Sequence, residues 1–183
     1  MVLQMAVSGT SVMRLSKALV TSGAEIGEIN AVRKHLSGVK GGQLARLAFP
    51  ARLVSLMLSD VVGDPLDVIA SGPTVADPTT FAEARAVLKK YGLEADAPAA
   101  LLQIQKDGEA GCIPETPKPG DPALARTANR LIGCNRIALE AAAREARELG
   151  YEARVVTDRL EGDTVAAAAR IVGEARGGGK AAC

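Results

Sequence analysis

The feature that most constrains the fold is a short apolar run, Leu53 to Leu58, followed directly by a polar loop. A brief, nearly continuous apolar segment is typical of a central strand in a parallel sheet. The loop contains the carboxylates Asp60 and Asp64, together with glycines and hydroxyl side chains. Because ligands of open α/β sheets bind outside the carboxyl ends of strands, we expect this loop to border a binding site.

The remaining patterns predict helices alternating with further strands. Apolar residues at helical spacing, glycine stops and a Thr80–Glu83 capping-box spacing favour seven helices. Their expected ranges are 11–22, 25–36, 43–49, 77–91, 97–106, 136–149 and 165–175, and two more strands are expected at 129–133 and 153–157. This order predicts an α/β fold, a Rossmann-like parallel sheet with flanking helices. We expect residues 1–176 to form one incomplete domain and residues 177–183 a flexible tail.

Composition excludes several classes of function. The 183-residue chain has a net charge of +1, so no overall field attracts nucleic acid or a membrane surface. Aromatic residues make up 2% of the chain and tryptophan is absent, which argues against base-stacking surfaces. Three widely spaced cysteines give no zinc or redox motif, and no leader or membrane span is evident. A reduced, cytoplasmic setting is the simplest expectation.

The first candidate for anion binding is the helix at 25–36 with the turn after it. Asn30, Arg33 and Ser37 share one helical face, with Lys34 beside them. In the turn, Lys40 adds a positive charge, and Gly41 and Gly42 would let backbone amides approach a phosphate or carboxylate. The alternative is a helix end with solvated charges and a flexible turn. No Walker A motif occurs in the chain.

The loop after the first strand supplies the second group of candidates. Asp60 and Asp64 could hold Mg²⁺ with substrate phosphates, or one of them could orient or deprotonate a substrate hydroxyl. Alternatively, each could cap a turn. The hydroxyls and backbone of Ser71, Gly72 and Thr74 form either a substrate rim or a plain Gly-Pro turn.

Three further parts of the sequence are interpreted from their local pattern. Asn135 opens a helix, as its N-cap, as a ligand contact or as both. We expect Asp77 to be structural, and residues 107–122, which are rich in glycine and proline, to form an exposed connector.

Two long motifs carry a family resemblance. INAVRKHLSGVKGG at 29–42 and SDVVGDPLDVIASGPTVADPTT at 59–80 closely resemble the MOFRL-associated glycerate kinases, and the resemblance extends from about Leu15 to about Glu174. It implies transfer of the γ-phosphoryl group of ATP to a hydroxyl of D-glycerate, with Mg²⁺ and with 2-phosphoglycerate as the expected product. It also implies that the family's N-terminal glycine-rich part and C-terminal MOFRL domain are absent from this chain.

The resemblance also suggests roles for individual residues. It places Arg33, Lys34 and Lys40 on carboxylate or phosphate charges and Asp60 or Asp64 on the metal or the attacking hydroxyl. Ser71, Thr74 and Asn135 would complete the substrate's hydrogen bonds. Two alternatives stay open: a non-catalytic fragment that acts as a binding or interaction module, and an unrelated oxidoreductase, against which the lack of a G-x-G-x-x-G motif counts. A homodimer is compatible with either.

Overall fold

A computed structural model describes residues 9–95 and 97–177 of the chain. The expected tail at 177–183 lies outside the described residues, except for Gly177, which ends the last helix. Contacts divide the chain into two compact units. The first unit comprises Met1–Ser55 and Leu66–Arg130, and the second comprises Leu56–Pro65 and Leu131–Cys183.

The described residues form two strands and seven α-helices, in the order that the sequence predicts with one exception. The strands are β1 (Leu53–Leu58) and β2 (Thr127–Gly133). The helices are α1 (Gly9–Thr21), α2 (Ile26–His35), α3 (Gln43–Ala48), α4 (Phe81–Lys90), α5 (Ala99–Glu109), α6 (Asn135–Glu148) and α7 (Thr164–Gly177). Short 3₁₀ turns occur at Ile69–Ser71 and Pro122–Leu124.

The two strands pair in parallel, which confirms the α/β class. The amide of Leu53 donates to the carbonyl of Arg126, and that of Ser59 to the carbonyl of Gly133, so the pairing advances in the same direction along both chains. The prediction of a third strand at 153–157 is wrong, because no strand occurs there among the described residues. Its Val155 and Val156 are exposed and have no neighbouring strand to satisfy a ladder.

The core of the first unit lies between α1, α2, α4 and α5. Leu19, Phe81, Leu88 and Leu101 are among its fully buried side chains. Helix α4 begins with the predicted capping box, in which Thr80 accepts from the Glu83 amide and Glu83 accepts from the Thr80 amide. This well-packed helical core holds α2 and the turn after it in place.

The second unit buries few apolar side chains. Among its described residues, the buried apolar side chains are those of Met57, Cys134 and Ala143. In β1, Leu56 and Leu58 point to an open face, and Leu58 is 73% exposed. The expectation that this strand is buried on both sides is therefore wrong for one face. No helix among the described residues is long and apolar enough to cross a membrane.

Candidate functional site

Backbone hydrogen bonds hold the turn after α2 against the loop at 70–73. The amide of Gly41 donates to the carbonyl of Ser71 (2.9 Å) and the amide of Gly42 to the carbonyl of Gly72 (2.7 Å). Both glycines have positive φ, and a Cβ on Gly42 would lie 2.7 Å from the Val75 carbonyl oxygen. The glycines are thus required for close backbone packing. Since their amides are already paired, the predicted phosphate cradle cannot use them in this conformation.

Lys40 and Arg33 form a pair of like charges beside this turn. The Lys40 ammonium donates to the carbonyl of Ala70 (3.0 Å). Burial, and then the charge of the Arg33 guanidinium, lower the pKa of Lys40 below its ordinary value. Within residues 9–95 and 97–177, no carboxylate pairs with either side chain. Two half-buried cations whose charges act on each other, and that lack an acidic partner in the described part of the chain, form a favourable place for an anion.

Lys34 occupies a different environment from these two cations. It is 3% exposed, and its ammonium lies 3.2 Å from the Asp77 carboxylate and 3.6 Å from that of Asp67. A Cβ on Gly41 would lie 3.0 Å from the Cβ of Lys34, so the turn packs directly over this side chain. The structure therefore gives Lys34 two acidic partners within the protein, and its predicted contact with substrate would have to compete with them.

Asp77 is the centre of the buried polar group beneath the turn. Its fully buried carboxylate accepts hydrogen bonds from the amide and hydroxyl of Thr79, from the Lys34 ammonium and from the Thr116 hydroxyl. Burial raises the pKa of Asp77. The Thr79 hydrogen bonds and the charges of Lys34 and His35 together lower it by more, so the pKa lies below its usual range. Its expected structural role agrees with these contacts.

His35 and Glu115 complete this group, which we call the Asp77 cluster and define as Lys34, His35, Asp77, Glu115 and Thr116. The Nε2 atom of His35 lies 3.1 Å from a carboxylate oxygen of Glu115 and 3.9 Å from one of Asp77. The prediction that the segment at 107–122 is exposed is wrong for part of it, because Thr116 and Pro117 are fully buried. The segment instead brings Glu115 and Thr116 to the cluster.

Three predicted substrate contacts are paired within the first unit. The hydroxyl of Ser71 donates to the side-chain oxygen of Asn30 (2.9 Å), and both residues are buried. The hydroxyl of Thr74 donates to the side-chain oxygen of Asn129 (2.6 Å), and the side-chain NH₂ group of Asn129 donates to the Thr74 carbonyl. These polar groups fix the 70–74 loop against α2 and β2. A ligand would have to displace these bonds, or meet the loop through its backbone.

The backbone of that loop is unusual. Ala70, Ser71 and Gly72 have φ values of 53°, 63° and 58°, a run of three left-handed residues. A Cβ on Gly72 would approach the Asp67 backbone to 2.9 Å, so this position requires glycine. Ser37 supports the neighbouring turn, because its hydroxyl accepts from the amides of Val39 and Lys40. Left-handed non-glycine residues cluster at ligand-binding loops, so Ala70 and Ser71 support a ligand-binding role for the 70–74 loop.

The remaining predicted residues, Asp60, Asp64 and Asn135, belong to the second unit. Neither carboxylate pairs with a cation among the described residues, and Asp64 has a positive φ of 53° in the loop after β1. The part of the chain described contains no cluster of three or more metal-ligating side chains. Two unpaired carboxylates nevertheless fit Mg²⁺, which takes one or two carboxylates together with phosphates and water.

Asn135 is not the N-cap of its helix. The N-cap of α6 is Cys134, and Asn135 is the first helical residue. Its side-chain amide donates to the Asp158 carbonyl (3.0 Å), so it ties the loop at 158 to the start of α6. The one-residue difference arises because Cys134 takes the extended backbone conformation that an N-cap needs.

Sequence reasoning missed the partners of the predicted residues. His35, Glu115 and Asn129 carry no motif of their own, and each becomes relevant only because the fold brings it to Asp77 or Thr74.

Comparisons with known proteins identify the family of the chain. A family model described as a domain of unknown function, DUF4147, matches residues 2–106. The chain is 47% identical over 145 residues to glycerate 2-kinase from Pyrococcus horikoshii, covering 79% of this chain and 32% of that protein. A protein described provisionally as a hydroxypyruvate reductase, from Agrobacterium vitis, is 48% identical over 149 residues, covering 81% of this chain and 32% of that protein.

A solved structure extends the likeness to three dimensions. The crystal structure of glycerate kinase from Thermotoga maritima superposes with a TM-score of 0.69 at 43% identity, covering 82% of this chain and 33% of that one. The chain thus spans about a third of the length of the relatives that it matches. The resemblance seen in its motifs is confirmed. The chain belongs to the DUF4147 family and is a homologue of the glycerate kinases.

Proposed function

We propose that this chain is the anion-binding part of a glycerate kinase, whose whole protein transfers the γ-phosphoryl group of ATP to D-glycerate. The observation that carries the proposal is the Arg33–Lys40 pair, two half-buried cations whose charges act on each other and that have no acidic partner among the described residues. D-Glycerate carries a carboxylate and its product carries a phosphate, so both present the charge that such a pair binds. The names of the homologous kinases support phosphorylation of glycerate as the reaction.

The chemistry of the step defines what the protein's groups would do. A hydroxyl oxygen of glycerate forms a bond to the γ-phosphorus, the bond from that phosphorus to the bridging oxygen of ATP breaks, and ADP leaves. Catalysis of this kind depends on positioning and charge neutralisation. Arg33 and Lys40 would hold the substrate's anionic group. Attack at the 2-hydroxyl, as in the relative named a 2-kinase, would give 2-phosphoglycerate.

Asp60 and Asp64 keep their proposed roles in the loop after β1. Either carboxylate could accept the proton that the attacking hydroxyl loses. Both are suited to bind Mg²⁺, which neutralises phosphate charge when bound. Asn30, Ser71 and Thr74 would shape the 70–74 loop rather than neutralise charge, since they are buried in hydrogen bonds with one another or with Asn129.

Phosphoryl transfer from ATP to D-glycerate in the presence of Mg²⁺ tests the proposal. We expect 2-phosphoglycerate from the chain or from a longer protein that contains it, and a loss of at least tenfold, about 1.4 kcal/mol in the transition state, in the Lys40→Ala variant. Lys106→Ala is the matched control, because Lys106 is an exposed lysine on α5. Equal activity of Lys40→Ala and wild type would remove Lys40 from the site. Reduction of hydroxypyruvate by NADH, without phosphoryl transfer, would favour an oxidoreductase instead.

A second candidate is a binding or interaction module without activity of its own. It is favoured by the second unit, where Leu56, Leu58 and Ile132 are exposed and few apolar side chains are buried. Apolar surface of this kind is usually covered by another part of a protein. Strong binding of an apolar dye by the folded chain, together with glycerate binding but no turnover, would support this candidate. Turnover without dye binding would contradict it.

A further inference from the structure

Asp67 is a partly exposed carboxylate just before the 70–74 loop of the first unit. Its side chain is 38% exposed, and one of its oxygens lies 3.6 Å from the ammonium nitrogen of the buried Lys34. The same ammonium donates to Asp77 (3.2 Å), which anchors Lys34 inside the unit. Asp67 is therefore held on one side by a buried cation, while part of its side chain faces solvent.

The hydrogen-bonding capacity of Asp67 is free in a way that the capacity of Asp77 is not. Among the described residues the one charged partner of Asp67 is Lys34, and 3.6 Å is too long for a direct hydrogen bond. The Asp77 carboxylate, by contrast, is fully buried and accepts four hydrogen bonds from the protein. Since a carboxylate has about four acceptor positions, Asp67 keeps positions for a ligand.

Asp67 lies on the same short segment as the group that binds the Lys40 ammonium. Lys40 donates to the carbonyl of Ala70 (3.0 Å), and Ala70 follows Asp67 three positions later, a span of at most about 11 Å. Lys34, which pairs with Asp67, is the chain neighbour of Arg33 on α2. The two cations of the anion site and this carboxylate therefore flank one stretch of chain, 67–70.

The position of this segment is fixed by contacts within the first unit, as recognition of a small ligand requires. The hydroxyl of Ser71 donates to the side-chain oxygen of Asn30 on α2, and the carbonyl of Ser71 accepts from the Gly41 amide. Together with the Lys34–Asp67 pair, these bonds attach the segment to α2 and to the turn after it. A side chain that is already held in place loses little entropy when a ligand binds.

We propose that Asp67 determines specificity for hydroxy acids, because its carboxylate accepts a hydrogen bond from a hydroxyl of the anion that Arg33 and Lys40 hold. The inference rests on the proposed function, since glycerate is the anion expected there. Two cations alone attract any small anion, whether or not it carries a hydroxyl. A neighbouring carboxylate repels every such anion, but it also makes a charge-assisted hydrogen bond to one that carries a hydroxyl. Asp67 thus disfavours anions that lack the hydroxyl.

Isothermal titration calorimetry with three ligands tests this role. D-Lactate lacks the 3-hydroxyl of D-glycerate, and 3-hydroxypropionate lacks its 2-hydroxyl. The wild-type chain should bind D-glycerate at least tenfold more tightly than one of these analogues, the one that lacks the hydroxyl bound by Asp67. In Asp67→Ala that preference should disappear. D-Glycerate should bind more weakly, whereas the analogue should bind as tightly as before or more tightly, because a repelling charge is gone.

Glu94→Ala is the matched control. Glu94 is 35% exposed and shares the cation Arg85 with a second carboxylate, Glu109, just as Asp67 shares its cation. This variant should keep the full preference for D-glycerate. Should Asp67→Ala fail to fold, Asp67→Asn decides, because its neutral oxygen is a weaker acceptor and the preference should shrink.

The outcomes separate this inference from the proposed function. An unchanged preference in the Asp67 variants, or an equal loss of affinity for D-glycerate and the analogue, would overturn the specificity role and leave the Arg33–Lys40 site standing. Equal binding of all three ligands to the wild type would do the same. If none of the three binds to a wild-type chain shown to be folded, the proposed function falls, and this inference falls with it.

Discussion

Replacing Asp77 with asparagine should destabilise the first unit more than any other single charge removal described above. The side chain keeps its size but loses the charge that pairs with Lys34. Asp77 accepts four hydrogen bonds and is fully buried, so no water can replace what is lost. The buried Lys34 ammonium would keep only Asp67, at 3.6 Å, as an acidic partner.

The size of the effect follows from that arrangement. Removing one partner of a buried ion pair costs about 3–5 kcal/mol, because the other charge stays buried without compensation. Asp67 compensates in part, and the asparagine oxygen still accepts from Thr79, so we expect the lower end, about 3 kcal/mol. Domains of this kind are stable by about 5–15 kcal/mol, so the variant should remain folded but with much of its stability gone.

Urea unfolding followed by circular dichroism measures the change. The matched control is Asp121→Asn, because Asp121 pairs with Arg46 at a half-exposed site. There we expect a loss of about 1 kcal/mol or less. A loss below 1 kcal/mol in Asp77→Asn, or equal losses in the two variants, would refute the argument that the Asp77 cluster is a buried ionic centre.

The difference in stability between the wild type and Asp77→Asn should depend on pH. The folded state lowers the pKa of Asp77, so its contribution to stability is present above the unfolded value of about 3.9 and is lost as the pH falls through the folded value. The stability of the wild type should therefore fall more steeply with acid than that of Asp77→Asn, and the two should converge below about pH 4. A gap that widens on acidification would contradict this sign.

Three further substitutions test the packing of the first unit by their free energy of unfolding. Gln105 is fully buried, and neither polar atom of its side chain has a partner among the described residues. Gln105→Met should therefore stabilise by about 1 kcal/mol, and a loss of stability would reveal a hidden partner. Gly108→Ala should destabilise by about 1–3 kcal/mol, because its Cβ would lie 2.3 Å from the Phe81 ring. Gly27→Ala, in open space on α2, should instead stabilise by up to about 1 kcal/mol, and equal signs would refute the packing argument.

The elements that the sequence predicts well are those with strong local signals. The sequence predicts β1 with its observed bounds, because a short apolar run flanked by polar residues is compatible with few other structures. The capping box of α4 is likewise a local interaction between residues three apart. The strand expected at 153–157 had a similar local signal, but strands also need a partner, and none of the described strands pairs with it.

The partners within the candidate site could not be found in the same way. Lys34 and Asp77 are 43 residues apart, and His35 and Glu115 are 80 apart, so no local pattern joins them. On the helical wheel Lys34 looks like a neighbour of Arg33, yet the fold buries one with carboxylates and leaves the other beside Lys40. Composition and spacing could suggest a cationic turn, but only the fold separates structural cations from free ones.

Direct binding of D-glycerate to this chain tests the central claim most closely. Isothermal titration calorimetry should give saturable binding to the wild type, binding that weakens at least tenfold, or about 1.4 kcal/mol, in Arg33→Gln and in Lys40→Gln, and unchanged binding in Lys106→Gln. Inorganic phosphate should compete for the same site. Binding that is equal in all four proteins, or absent from a chain shown to be folded, would contradict the assignment of Arg33 and Lys40 as the anion site.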